Sequence, residues 1–141
     1  MSENRKWVYT ERLPVRWRDM DAGAHVNNSV YFTYFEQARV TWLEQIDIIL
    51  RDITEGPVVV TCECSYLKQL RYPADLEIKT YVGSAGRSSF MMYYDVYTAN
   101  DPDVLYAKGS AKVVWINYHL GKSVPLPEKM LKHLPIAEHK E

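Results

Sequence analysis

The stretch from Arg16 to Asn28 reads Arg-Trp-Arg-Asp-Met-Asp-Ala-Gly-Ala-His-Val-Asn-Asn and gathers two carboxylates, an imidazole and two amides. It runs directly into the one long helical pattern of the chain. Asp21 stands seven residues before Asn28, where that helix is expected to start. A carboxylate so placed can face the free amides of the first helical turn, which are donors aimed at negative charge. A carbonyl held between them would be polarised on one side and open to attack on the other. Acyl transfer needs those two parts, a general base or nucleophile and an oxyanion hole. The same residues also suit a plain loop, with Asp19 and Asp21 in Asx turns and Asn27 and Asn28 capping the helix.

The elements that would position this loop are legible from periodicity. Tyr31, Phe35, Ala38, Trp42, Ile46 and Ile49 recur at helical spacing, predicting a helix of five to six turns with Asn28 as N-cap. Upstream, Val8, Leu13, Val15 and Trp17 suggest a first strand within Trp7 to Trp17, with Pro14 at an edge. After Gly56-Pro57 the period becomes two, with Val58, Val60, Cys62, Cys64 and Tyr66 on one face. Leu76, Ile78, Thr80 and Val82 lead through Gly83 to Gly86 into Phe90, Met92, Tyr94 and Val96, a hairpin. Leu105, Ala107, Ala111, Val113 and Trp115 form a last long strand with Gly109 as a bend or bulge, and a short helix follows near Glu128 to His133. Strand, long helix and four strands make an α+β domain, an antiparallel sheet with a helix over one face. An edge strand and one sheet face stay uncovered, so dimerisation is expected.

At 141 residues the chain fits one domain spanning 1–141, large enough to bury a core without staples. Seventeen basic against eighteen acidic residues leave no global attraction to nucleic acid or anionic membrane. The longest apolar run, Phe90 to Tyr94, is far short of the roughly 20 residues a membrane helix needs. The polar start has no signal-peptide character, so a cytoplasmic protein is expected. Cys62 and Cys64 are expected to be reduced core residues. The four His are scattered, and no metal site is expected. No Gly-x-Ser-x-Gly elbow, phosphate-binding Gly-rich loop or His-Glu-x-x-His pattern is present.

The run Asp19-Met20-Asp21 through His25-Val26-Asn27-Asn28, with Tyr31 and Tyr34-Phe35-Glu36-Gln37-Ala38-Arg39, resembles the acyl-CoA thioesterases of the 4-hydroxybenzoyl-CoA thioesterase family. The ending Val113-Val114-Trp115-Ile116-Asn117, Gly121-Lys122 and Pro125-Leu126-Pro127 is similar as well, so the resemblance covers nearly the whole chain. It implies a hotdog fold, a five-stranded antiparallel sheet wrapped around one long central helix. It implies hydrolysis of a CoA thioester without any cofactor beyond the coenzyme A of the substrate. It also implies a homodimer or homotetramer with sites at the subunit interface.

Carried over by position, Asp21 is the catalytic carboxylate and the Asn28 amide the oxyanion donor. Tyr31 and Tyr34 shape the acyl pocket, His25 and Asn27 contact substrate, and Arg87 and Ser88 meet the CoA phosphate or pantetheine. Lys68, Arg71 and Lys122 are further phosphate candidates, and Glu36 is either a reacting carboxylate or the ion-pair partner of Arg39. Ala24 occupies a position where the family often has Gly, and Ala resists the positive φ that Gly permits. Hotdog hydratases place four residues between Asp and His, whereas three separate Asp21 from His25 and five separate Asp19 from it. A non-catalytic acyl-CoA-binding or scaffold dimer is the alternative from another class.

Overall fold

Period-two patterning becomes strand and period-3.6 patterning becomes helix along the residues that the computed structural model describes, 4–48, 51 and 54–135. The strands are β1 (Lys6–Pro14), β2 (Glu55–Tyr66), β3 (Asp75–Ala85), β4 (Ser89–Thr98), β5 (Ala107–Asn117) and β6 (Lys122–Ser123). Helix α1 (Val30–Gln45) follows β1, and the one-turn helix α2 (Glu128–Leu131) comes last. The first strand is thus shorter than its aromatic pattern, since Trp17 falls in a 3-10 turn, Trp17–Asp19. The strands form one antiparallel sheet in the order β1-β3-β4-β5-β2, wrapped on α1 in hotdog fashion. The sheet has six strands rather than five. β6 pairs with the end of β5, beyond the point where β4 stops at the Ser89 to Val114 pair.

Tyr31, Tyr34, Phe35, Ala38, Trp42 and Leu43 form the buried side of α1. They pack on the inner face of the sheet, where Ile78, Val82, Phe90, Met92, Tyr94, Val96, Ala111 and Val113 are all buried. At the centre of the contact the Phe35 ring stacks on Tyr94, with centroids 4.5 Å apart and planes 9° apart. Burying a side chain of that size contributes about 1.5–3 kcal/mol. The helix has 16 residues, about four and a half turns rather than five to six. It stops because Asp47 turns into the left-handed region at φ 65° and the Ile48 amide folds back on the Leu43 carbonyl. Ile49, the last residue of the predicted stripe, lies outside the described residues.

The N-terminus of α1 also differs from expectation. Ser29, not Asn28, is the N-cap residue, and the Asn27 side-chain oxygen accepts from the Ser29 amide at 2.9 Å. Nor does Gly109 make a bend. It pairs in continuous register with Cys64 on β2 and Tyr94 on β4, and the shifts fall instead at Trp7/Tyr9, Val59/Thr61 and Val82/Ala85. What position 109 requires is room, because a Cβ there would lie 2.8 Å from Phe35 Cζ and 3.0 Å from the Glu63 carbonyl oxygen. The short helix ends at Leu131 instead of His133.

β2 is an edge strand, as β1 is at the other end of the sheet, and among the described residues it pairs only with β5. Cys62 is therefore exposed and Cys64 half-buried, and neither is the core residue expected from alternation. Val60, at the register shift, is 52% exposed. The face of the sheet turned away from α1 is covered by its own side chains. The Arg5 guanidinium lies 3.9 Å over the Tyr81 ring and donates to Asp95 at 2.9 Å, and Lys79 sits 4.8 Å over Tyr97.

Gly109→Ala is expected to lower stability by about 1–3 kcal/mol, the usual effect of overpacking a filled core. Chemical denaturation of wild type and variant measures the loss; an unchanged midpoint would mean that Phe35 has room to move.

Candidate active site

The loop between β1 and α1 is organised around Asp19, which is only 3% exposed. Its Oδ2 accepts from the Arg16 amide at 2.9 Å and from the Tyr34 hydroxyl at 2.8 Å, and its Oδ1 accepts from the Arg16 guanidinium at 3.2 Å. Burial pushes the carboxyl pKa up, but the Arg16 amide, the Tyr34 hydroxyl and the Arg16 charge together outweigh it and hold Asp19 below the usual Asp value. Tyr34 is driven the other way, by burial first and then by its bond to that carboxylate. It stays a neutral donor.

Beyond Asp19 the chain closes on itself. The Asn27 amide returns to the Asp19 carbonyl at 2.9 Å, Met20 bridges Val26, and the Asp21 amide donates to the His25 carbonyl at 2.9 Å. The turn inside this ring takes Ala24 through φ 64°, the left-handed conformation that Gly would adopt freely. For Ala that conformation costs on the order of 1 kcal/mol. The Asp21 side chain projects from the ring into solvent, its Oδ1 accepting from the Gly23 amide at 2.9 Å and from the His25 amide at 3.4 Å.

Asp21, His25, Asn28 and Tyr31 line one pocket of about 250 Å³, closed on the opposite side by Tyr66 to Leu70. Among the described residues the Asn28 N–H donates to nothing, while the Asn28 carbonyl accepts from the Tyr66 hydroxyl at 3.1 Å. The His25 Nε2 is buried and has no hydrogen-bond partner among the described residues. An unpaired buried nitrogen costs about 1–3 kcal/mol. Burial first, and then the charge interactions with Cys64 and Tyr66, push the Tyr31 hydroxyl up to about 12. The pocket thus combines a solvent-facing carboxylate, a free amide N–H and neutral aromatic walls.

The other predicted site residues lie elsewhere in this chain. Tyr34 is behind the loop with Asp19, and Asn27 is engaged at the helix cap. Arg87 and Ser88 are at the far end of the sheet. Ser89 pairs with Val114, whereas Tyr66 beside the pocket pairs with Ala107, seven residues earlier on β5. That separation is roughly 23 Å along the strand. Arg39 donates to the Tyr94 hydroxyl at 3.0 Å, and no Glu36–Arg39 ion pair exists among the described residues. Glu36 is exposed. Sequence reasoning missed Tyr66, Leu67, Gln69 and Leu70 as pocket walls, though their position at and just past the end of a strand was readable.

A larger depression of about 560 Å³ lies on the outer side, lined by Arg5, Tyr93, Asp95 and Lys108 among others, and contains none of the predicted residues. Among the described residues no group of three His, Cys, Asp or Glu could hold a metal ion, and no helix is long and apolar enough to cross a membrane.

A family model for the thioesterase-like superfamily matches residues 15–134. A solved structure from Pseudomonas aeruginosa, named as a candidate thioesterase, is 38% identical, with a TM-score of 0.87 over 90% of this chain and 98% of its own. Another from Xanthomonas campestris, named as a candidate acyl-CoA thioesterase, is 35% identical, with a TM-score of 0.74 over 79% of this chain and 94% of its own. A protein of Aquifex aeolicus, named as a candidate esterase, is 29% identical over 91% of this chain and 97% of its own length.

The Asp19 network makes a pH-dependent prediction. A depressed carboxyl stabilises the fold above its unfolded pKa near 3.9, and this contribution is lost as pH falls through the lower folded value. Tyr34→Phe should cost about 1–2 kcal/mol at pH 7, and the gap to wild type should narrow on going to pH 3. Urea denaturation at both pH values checks this, and an equal gap at each would mean that the Tyr34 hydroxyl does not act through the Asp19 charge.

Proposed function

Because the chain belongs to the thioesterase-like superfamily and is thereby a thioester hydrolase, we propose that it hydrolyses an acyl-CoA to the free acid and coenzyme A at the Asp21 pocket. The observation that carries the reading is one pocket holding both an unengaged amide N–H, on Asn28, and a solvent-facing carboxylate, on Asp21. The neighbour from Xanthomonas campestris, with acyl-CoA in its name, supports the substrate class.

In this mechanism the thioester carbonyl oxygen points at the Asn28 N–H. Asp21 either takes a proton from the attacking water or attacks the carbonyl carbon itself, and in the second case water then cleaves the anhydride. Negative charge develops on the carbonyl oxygen in both routes, and the fixed N–H meets it without reorganisation. The C–S bond breaks next, and coenzyme A leaves as a thiolate that takes up a proton from solvent. Thiolate is a good leaving group, so no strong general acid is required. Tyr31 supplies an apolar wall for the acyl group, and His25 Nε2 is free to bind the substrate. No metal or redox cofactor enters these steps.

The functional unit we propose is a homodimer or homotetramer joined through β2. That strand carries twelve residues with one edge unpaired, and Val59, Val60 and Tyr66 on it are exposed. A second copy pairing there would satisfy the free strand amides of both chains. It would also bring new residues to the β2 side of the pocket, where an Arg87 from the other copy could approach.

Asp21→Asn should lower kcat by at least about 100-fold, the scale of losing a general base. Free-thiol release from benzoyl, hydroxybenzoyl and straight-chain CoAs measures it. A pH profile in which the acid limb disappears with His25→Gln and survives in Asp21→Asn would move the catalytic role to His25. A wild type that binds these thioesters and releases no thiol would instead be the non-catalytic binding dimer. Solution mass should be at least twice 16.5 kDa, and a fully active monomer would contradict the β2 pairing.

A further inference from the structure

Coenzyme A carries a pyrophosphate and a 3′-phosphate on its adenosine, well outside any acyl pocket, and these charges need a counterpart on the protein. Beside the mouth of the Asp21 pocket two segments run together. The Val15 amide donates to the Ala74 carbonyl at 2.8 Å, and the Tyr72 amide donates to Met20 Sδ at 3.5 Å. Across this seam Trp17, 72% exposed, meets Tyr72 edge-on with ring centroids 5.9 Å apart. Most of the indole stands in water.

Arg18, Lys68 and Arg71 are exposed on the same two segments, and none of them is ion-paired among the described residues. The fourth cation, Arg16, is already engaged by Asp19. Within 16–20 and 66–73 there is no exposed carboxylate, because Asp19 is buried. These two segments therefore carry a charge of +3, with the exposed Asp21 of the pocket as the adjoining carboxylate, on a chain whose net charge is -1. Lys68 lines the Asp21 pocket as well, which makes patch and pocket continuous.

We propose that Trp17, Tyr72, Arg18, Lys68 and Arg71 form the subsite for the adenosine 3′,5′-bisphosphate end of coenzyme A. The inference rests on the acyl-CoA reading and extends it. The indole stacks on adenine, and the three cations meet the phosphates. An exposed aromatic group beside unopposed cations fits a ligand with both a π-face and several negative charges. A second copy of the chain is a poor occupant, since a two-fold contact would set +3 against +3. Arg87 of the same chain lies roughly 23 Å away by strand spacing, so within one chain these cations are the ones beside the pocket, and an Arg87 brought by a second copy would add to them from the β2 side.

Trp17→Ala and the double variant Arg18→Gln/Arg71→Gln alter only exposed side chains, so the core is untouched. The quantity to read is kcat/KM for an acyl-CoA divided by kcat/KM for the same acyl group on N-acetylcysteamine, which lacks the nucleotide. The expected result is a fall in this ratio of at least about tenfold in each variant, carried by KM for the CoA substrate. A smaller change overturns the subsite. Calorimetry with adenosine 3′,5′-bisphosphate alone separates the two readings. Binding that is lost in Trp17→Ala supports the subsite even if no thioester is hydrolysed, in which case the acyl-CoA reading fails by itself. Hydrolysis of acyl-CoA by a wild type that does not bind the bisphosphate, or binds it as well after Trp17→Ala, overturns the subsite and leaves the hydrolase intact.

Discussion

A charged carboxylate withdrawn almost wholly from water sits at the junction of loop and helix, and it persists only because three donors converge on it. Two come from Arg16 at the start of the loop and one from Tyr34 in the second turn of α1. Removing any of them would leave a buried charge partly uncompensated. Asp19 therefore fixes the direction in which the loop leaves β1 and the angle at which it enters the helix. The position of Asp21 relative to the Asn28 amide follows from those two directions.

The remainder of the fold holds the helix against this anchor. Phe35 stacks on Tyr94 and occupies the space that Gly109 leaves open, so the seat of the helix is determined by one missing Cβ on β5. Arg39 reaches over the same stack to the Tyr94 hydroxyl. Sheet, helix and loop are thus linked through a short series of contacts, from Gly109 through Phe35 along α1 to Tyr34 and Asp19. None of these side chains lines the Asp21 pocket, yet they position the residues that do.

How much of this was readable in the sequence depended on whether a residue's partner was local. Helix α1, the β3–β4 hairpin and the long β5 were legible because alternation and helical spacing are local signals. The concentration of chemistry between Asp19 and Asn28 was legible for the same reason, and the family resemblance reached the same residues. The errors arose where a distant partner decides. Gly109 reads as a bend until Phe35, more than seventy positions earlier, is seen to fill its space. Cys62 reads as core because alternation says which residues share a face and not whether anything covers that face. Glu36 and Arg39 read as a helical ion pair until Tyr94 on β4 is seen to take the guanidinium. The walls from Leu67 to Leu70 carry no periodic signal, since they follow the end of β2 and belong to no element. Ala24 shows the reverse. Its side chain argued against a positive φ, and the closed ring from Asp19 to Asn27 imposes one nonetheless.

The pairing of β2 with β5 has a consequence for how the chain emerges from the ribosome. β2 ends at Tyr66, and its only neighbour in the sheet extends to Asn117. About fifty further residues must be made before that partner exists in full, several seconds of synthesis at roughly 5–20 residues per second. Throughout that interval Val58, Val59 and Val60 belong to an apolar strand with neither edge occupied. Hairpin β3–β4 forms meanwhile from adjacent sequence, but it cannot accept β2, because β5 must lie between them. The nascent protein thus carries its most adhesive segment unpartnered until β5 has been made, and the demand for chaperone protection is set by strand order more than by final stability.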